Sequence, residues 1–454
     1  MPTAVLISFD TEDFVSPAAD DALLRLATLL TSKGLRGSFC MVGEKSRVLR
    51  ERGRQDVLAA LLPHEICFHS RDHSVHPTLA PRCDEAGWTR GLAEVRATEL
   101  EAMSWVKEIH RRDRLFTAVP PGSNVAPQTI WLYQRAGIPT YAGGFFGNRD
   151  GKLYWYLGSL QVPYTIGADG VFAKQEVDEV WKRFDAQAGW QTAVLCIHPT
   201  YTFHHTFWDK VNFDAGTNRP RERWEPAPAR SDAEREALFE RLSAFLDRIK
   251  ADPRFAFTDY ETLSAAAERK RAARRPSAWP AAAFAPLAEQ PDWIEHRGEG
   301  GGSLSAQEAL GELAARVTGD PAWREQLDPR RLPGPVDTPH ALERNVTLSR
   351  AEVLKGLWKA QSELGAETQG LPAAWKLNGC SGGPGAMLAA LAQLAQGRET
   401  ATLKAGHPET CAGVKRSGLD GWKYGAWLYK PGFEGAQNLK LAKQMAWTLC
   451  PAEA

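Results

Sequence analysis

Residues 69–76 read "HSRDHSVH", three histidines within eight positions of a chain that holds only 11 among 454 residues. His69 and His73 are four apart. On a helical turn that spacing sets both imidazoles on one face, and two neutral imidazoles suit a divalent transition metal such as Zn2+ once a carboxylate supplies a third ligand. A polar loop is the alternative account of the same residues. Carboxylates stand ready in "SFDTEDF", where Asp10, Glu12 and Asp13 lie within four positions. Paired acids there can divide two duties, one ligating a metal and the other taking a proton from water. An acidic helix start accounts for Asp13 and Asp20 better than for Asp10, which ends an apolar run. His198 closes a second apolar run, "TAVLCIH". A histidine of that kind is either a satisfied core residue or, at a strand's carboxyl end beside a metal, a general acid toward a departing amine.

The stretch that follows, "PTYTFHHTFWDKVNF", gathers Tyr201, His204, His205, Phe207 and Trp208. Aromatic faces beside polar tips suit a sugar ring, and they suit a packed aromatic loop equally. Tyr201 and Trp208 are the expected substrate contacts. His76, the loose member of the histidine cluster, joins them and is also open to an alternative ligand role or to solvent.

The elements that must position these groups alternate between two periodicities. "AVLISFD" is a short apolar run ending in an acid, as a buried strand does where it emerges at a sheet or barrel end. "SPAADDALLRLATLLTSKG" follows, with Ser16 and Pro17 at N-cap and first-turn positions, Leu23, Leu26 and Leu30 in a helical stripe, and Gly34 as a stop. "LRGSFCMVG" predicts a second strand, "SRVLRERGRQDVLAALL" a second helix, and "HEICF" a third strand running into the histidines. The alternation continues with a helix over 84–112, strands at "RLFTAV" and "IPTYAGG" around a helix near 127–136, a helix near 175–187, and the strand "TAVLCIH". Ser231 and Glu234 form a capping-box signature for a helix to about residue 250, and "FAFTDY" predicts a closing strand. Repeated β-α units predict an α/β barrel or doubly wound sheet with functional residues at the carboxyl ends of its strands.

The chain exceeds the usual single-domain size of roughly 100–200 residues. Its 55 basic residues balance 55 acidic ones, so charge points to no nucleic acid partner. The seven cysteines are scattered without a CxxC spacing, and Cys40, Cys67 and Cys196 fall in apolar runs, so no disulfide framework is expected. The N-terminus lacks a charged segment followed by an apolar core, and no run of about 18 apolar residues occurs. That predicts a cytoplasmic protein without a membrane span. Composition shifts after residue 265. Residues 266–302, rich in Arg, Ala, Pro and Gly, read as a linker. Residues 303–454 read as a separate, mostly α domain of unassigned role, with helices at "SAQEALGELAARV", "LSRAEVLKGLWKAQSEL", "GAMLAALAQLAQ" and "NLKLAKQMAWTL". Trp422, Tyr424, Trp427 and Tyr429 alternate at strand-like spacing, either as a glycan platform or as cover for the helices.

The acids after the first strand, "FCMVG" on the second, "HEI" followed by "HSRDH", and "LCIH" together resemble the motifs of the polysaccharide deacetylase family, over residues 1 to about 265. That resemblance implies a NodB-homology fold, a distorted (β/α) barrel of metal-dependent amide hydrolases. "HSRDH" resembles the family's H-[ST]-x-x-H metal motif and implies His69 and His73 as ligands. "SFDTED" resembles the first motif, usually T-F-D-D, and implies Asp10 as general base and Glu12 as carboxylate ligand. Asp13 is the alternative ligand, because the spacing here is wider. "LCIH" implies His198 as the catalytic acid. Two motifs depart. "TAVPPGSN" has Ala118 and Val119 where the family carries an arginine that orients the base, and "IPTYAGGFFGN" offers no counterpart to a downstream Asp-Trp. The resulting expectation is a zinc-type hydrolase of a non-peptide carbon–nitrogen bond. It would deacetylate an N-acylated sugar or glycan precursor, with a carbohydrate or other small-molecule amide as its partner and a homo-oligomer left open. A catalytically silent barrel that binds glycan or scaffolds a partner is the alternative, favoured by the missing arginine. A hydrolase of a non-sugar or cyclic amide would share the same metal site.

Overall fold

A computed structural model describes residues 2–85, 87–122, 124–143, 151–169, 171–174, 176–362, 364, 370–406, 428–429 and 436–453. Nine strands are central to it: β1 (Thr3–Thr11), β2 (Ser38–Met41), β3 (Glu65–Phe68), β4 (Thr117–Ala118), β5 (Thr140–Ala142), β6 (Leu153–Tyr156), β7 (Ser159–Val162), β8 (Ile166–Gly167) and β9 (Thr192–Ile197). They pair in the order β6-β7-β5-β4-β3-β2-β1-β9-β8. Every pairing is parallel except that of β6 with β7. Parallel neighbours cannot be joined by tight hairpins, which is why helices such as α1 (Ala18–Ser32) and α2 (Gly43–Glu51) intervene. The sheet curls into a distorted (β/α) barrel. Thr192 N–H bonds to the Gly151 carbonyl (3.2 Å) and Gln191 Nε2 to the Ala452 carbonyl (3.1 Å) across its gap, where no ladder forms.

β1 has no solvent face. Val5, Ile7 and Phe9 pack outward with Leu23, Leu26 and Leu30 of α1, while Leu6 points inward with Cys40, Cys67, Val119 and Val194. A strand covered on both sides reads as a continuous apolar run, which is the pattern of "AVLISF". The same period of two sends Ser8, Asp10 and Glu12 inward along one line toward the barrel mouth.

Two helical expectations are corrected by local chemistry. "SRVLRERGRQDVLAALL" makes two helices, α2 and Gln55–Leu61, because Gly53 adopts φ +67° between them. In place of the helix expected over 84–112 stand Leu79–Glu85 and Gly87–Ile109, the second opening on Gly87 at φ +70°. The capping box at Ser231 and Glu234 forms, and its helix runs Asp232–Ala251. Phe255–Phe257 pairs in parallel with the first residues of β1.

Residues 266–302 are folded chain, which corrects their assignment as a linker. A helix, Tyr260–Ala273, runs through residue 266, capped by the Asp259 carboxylate. Beyond it Trp279, Phe284 and Leu287 are buried in the core of the C-terminal region. Ile294 joins them, and the Ala, Pro and Arg content masked these four large apolar anchors. The C-terminal helices form as Ala306–Thr318, Arg350–Gln361, Pro384–Ala395 and Ala436–Thr448, accompanied by small antiparallel ribbons such as Val346–Ser349 against Thr400–Leu403. The region returns to the barrel at its end: Leu441, Met445 and Leu449 join the barrel's outer core, and Cys450–Ala452 pairs antiparallel with β6. The aromatic alternation at Trp422, Tyr424 and Trp427 lies outside the described residues. Among the described residues, six cysteines are free and buried, and no helix is long and apolar enough to cross a membrane.

Candidate functional site

The ends of β1, β3 and β9 bring the predicted groups together, and the two acids offered as ligand differ in their partners. Glu12 continues the inward line of Asp10, and its Oε1 is buried without a partner. Asp13 is already engaged. Its Oδ1 accepts from the Val15 and Ser16 N–H groups (2.9 Å each) and its Oδ2 from the Thr200 hydroxyl (2.9 Å). Lys45 Nζ, itself buried, donates to the Asp13 carbonyl and to Asp20 Oδ1, both at 2.6 Å. Asp13 therefore holds the turn that presents Glu12.

His69 and His73 converge on Glu12, but through a loop rather than a helical turn. Ser70 (φ 64°) and His73 (φ 56°) both take left-handed backbone conformations, each costing about 1–2 kcal/mol for a residue with a Cβ. Surrounding bonds impose this shape. The N–H groups of Gly43 and Glu44, at the start of α2, donate to the Ser70 and Arg71 carbonyls (3.0 and 2.9 Å). Arg71 N–H donates to buried Glu99 (3.2 Å), which also accepts from the Tyr133 hydroxyl (2.7 Å), and His73 N–H donates to Ser70 Oγ (3.1 Å). The two imidazole centroids end 5.0 Å apart.

Burial pulls His69 down to about 4, against the attraction of Asp10, so its ring is neutral. Its Nδ1 donates to the Val119 carbonyl (3.1 Å), which leaves a lone pair on Nε2, and that atom is buried without a partner. His73 shows the opposite balance. Burial opposes its charge, yet Glu12 and Asp209 outweigh burial and push it up to about 10. Its Nε2 lies 2.8 Å from Glu12 Oε2 and its Nδ1 3.6 Å from Asp209 Oδ2. A proton on His73 is thus standing in for positive charge that two buried carboxylates demand. Glu12, His69 and His73 offer ligand atoms all within 4.8 Å of one another, so the donor set fits a divalent ion.

His198 follows β9 and faces the same space. Its Nε2 is 3.8 Å from both Asp10 Oδ2 and Glu12 Oε2, and its Nδ1 is 2.5 Å from Asp169 Oδ2. Burial would lower its affinity for a proton, but Asp169, Glu12 and Asp10 together raise it well above the usual histidine range. Asp10 Oδ1 accepts from the Tyr164 hydroxyl at 2.8 Å. A tyrosine hydroxyl thus bonds the acid for which the resemblance implied an arginine partner, absent here.

The aromatic candidates separate. Trp208 is fully buried, with its ring 4.7 Å from Phe14 and 5.1 Å from Trp224, and this overturns its assignment to substrate. His76 is tied through its ring and its N–H to Asn218 Oδ1 (2.7 Å each) and leans on Phe213, outside the ligand group. Tyr201 is half-buried beside Phe207, whose ring meets His198 edge-on at 5.0 Å. Sequence inspection missed Asp169, Asp209 and Tyr164. The signal for Asp169 was available: an acid two residues beyond a strand, "TIGAD", at the same barrel end.

No family model matches the chain, and no curated protein matches it. Solved structures do. An allantoinase aligns at 16% identity over 58% of this chain and 89% of its own, with a TM-score of 0.38. A peptidoglycan deacetylase from Bacillus subtilis aligns at 13% over 60% and 94%, TM-score 0.32, and a CE4 family pseudoenzyme from Bacillus anthracis at 11% over 58% and 66%, TM-score 0.33. Roles for its residues come from its own geometry.

Proposed function

We propose that this chain is a metal-dependent hydrolase of a non-peptide carbon–nitrogen bond, most simply a deacetylase of an N-acylated sugar or glycan precursor. The observation that carries the proposal is the convergence, in one barrel mouth, of a buried Glu-His-His donor set with a carboxylate and a carboxylate-held histidine. Glu12, His69 and His73 would hold the ion through Glu12 Oε1, His69 Nε2 and His73 Nε2. The Val119 carbonyl then holds the outer nitrogen of His69, as outer-shell partners of metal-ligating histidines do, and Asp209 Oδ2 lies 3.6 Å from the outer nitrogen of His73. An ion bound there supplies Lewis-acid activation of water and of the acyl oxygen, and zinc suits the donors.

The chain's own residues carry the protons. Asp10, oriented by Tyr164, takes a proton from the attacking water on Oδ2, the oxygen that Tyr164 leaves free. His198, charged and aligned by Asp169, gives its Nε2 proton to the nitrogen as the carbon–nitrogen bond breaks, so that an amine leaves and a carboxylic acid remains. Tyr201 and Phe207 are placed to form an apolar rim for a sugar face. The test is metal analysis of the purified protein together with acetate release from a panel of N-acetylated sugars, comparing the native chain with Asp10→Asn. One bound ion, measurable turnover and its loss by at least 100-fold in Asp10→Asn are expected. Absence of both bound metal and acetate release would refute it.

A further inference from the structure

We infer that the barrel mouth holds a second, thiolate-bearing cation site, formed by Asp10, Cys196 and His198, and that a soft divalent ion taken up there switches hydrolysis off. The second half rests on the function proposed above; the binding itself does not. The ligand atoms of these three residues all lie within 4.8 Å of one another. Cys196 Sγ and His198 Nε2 are each 3.8 Å from the same oxygen, Asp10 Oδ2. In each polar partner the other atom is tied away from the site. Asp10 Oδ1 takes the Tyr164 hydroxyl and His198 Nδ1 takes Asp169, so Oδ2, Nε2 and Sγ are left facing one point. Second-partner bonds of this kind orient metal ligands.

Cys196 makes the inference specific, because acid–base hydrolysis has no use for it. It sits inward on β9, level with Ser8 of β1, 4% exposed, and a thiol 3.8 Å from a carboxylate is a weak hydrogen bond at best. A thiolate, a carboxylate and an imidazole form a recognised donor set for zinc, cobalt or cadmium, with a fourth position left to solvent. Binding breaks the S–H bond of Cys196 and the N–H bond at His198 Nε2, forms the metal–sulfur and metal–nitrogen bonds, and releases both protons to solvent with no redox change. Occupancy removes the base and the acid together. His198 Nε2 is also 3.8 Å from Glu12, so the two ions would be neighbours and repel, which makes the second the weaker.

The test is a Co2+ titration of the metal-free full chain under reducing conditions, followed by absorbance. Two ions are expected to bind, and the near-ultraviolet sulfur-to-cobalt band should grow only with the weaker. Cys196→Ser should bind one ion and lack the band, and Cys196→Ala, checked for folding by circular dichroism, should do the same. His69→Ala should keep the band and lose the tighter ion. With zinc, hydrolysis should rise and then fall in the native chain, and in Cys196→Ser the fall should need at least tenfold more zinc. A native chain without the band, or a band unchanged in both Cys196 variants, overturns the second site. A tighter ion unaffected by His69→Ala overturns the proposed metal centre instead, and leaves the band to judge the second site alone.

Discussion

Glu12 and Asp13 are adjacent acids of similar burial, and exchanging their roles is the sharpest test of the site. Asp13 accepts two backbone N–H bonds and one hydroxyl bond, each at 2.9 Å. Asp13→Ala leaves those donors without their acceptor in a buried turn. At roughly 1–1.5 kcal/mol per bond, more where the acceptor is charged, the metal-free protein should lose about 3–5 kcal/mol. It should still bind zinc as tightly as native at the Glu12, His69 and His73 site, because no ligand is removed. Glu12→Gln should show the reverse. The amide can still bond His73, so the metal-free stability should stay within about 1 kcal/mol of native. The loss of the anionic ligand should weaken zinc by at least about 100-fold, beyond the 10–100-fold typical of an outer-shell change. Urea unfolding of the metal-free chain measures the first quantity, and competition with a chromophoric zinc chelator the second. The assignment fails if Asp13→Ala abolishes zinc binding without unfolding the chain, or if Glu12→Gln binds zinc as tightly as native.

Four further outcomes follow from the same geometry. Asp169→Asn should reduce kcat by roughly 100-fold and move the basic limb of its pH profile to lower pH, because His198 loses the carboxylate that holds its proton; an unchanged profile would remove Asp169 from proton transfer. Trp208→Ala should destabilise by about 3–5 kcal/mol with KM unchanged, and a raised KM in a fully stable variant would restore Trp208 to the substrate side. Lys45→Met leaves buried Asp20 with Arg52 and the more distant Arg54 and frees the Asp13 carbonyl, so a loss of about 3–5 kcal/mol is expected in urea unfolding, and Lys45→Met with Asp20→Leu should recover part of it. His110, buried against Ser46, is pulled down to about 3 by burial and by Arg112, so the unfolded chain binds a proton near pH 6.5 that the folded chain refuses. Its contribution to stability is present above about pH 6.5 and falls as pH drops, by up to about 1.4 kcal/mol per unit; His110→Leu should flatten that slope in urea titrations between pH 7 and 5.

The β-α order was legible because a strand buried on both faces must be apolar throughout, as in "AVLISF", whereas a helix on the barrel needs only one stripe, as in Leu23, Leu26 and Leu30. Gly53 and Gly34 acted as breaks through their positive φ, but only the structure shows that Gly53 divides one apparent helix into two. The stretch taken for a linker failed on composition. Pro and Ala are frequent in it, and four large buried side chains, Trp279, Phe284, Leu287 and Ile294, anchor its packing.

For the site, residue type and strand-end position offered Asp10, Glu12, Asp13, His69, His73 and His198 as candidates, since chemistry of this kind needs a carboxylate, imidazoles and a place where a strand emerges. Which carboxylate faces the histidines was not contained in the spacing. Asp13 is engaged by local N–H groups and Thr200, whereas Glu12, one residue past β1, continues its inward line, meets His73 and keeps Oε1 without a partner. The groups Asp169, Asp209 and Tyr164 lie about 30 to 150 positions from their partners, and only the folded sheet brings them within reach. Sequence determines which side chains can exchange protons or hold a cation. Their neighbours in space determine which of them do, because a buried polar atom is available for chemistry only when no nearer partner has claimed it.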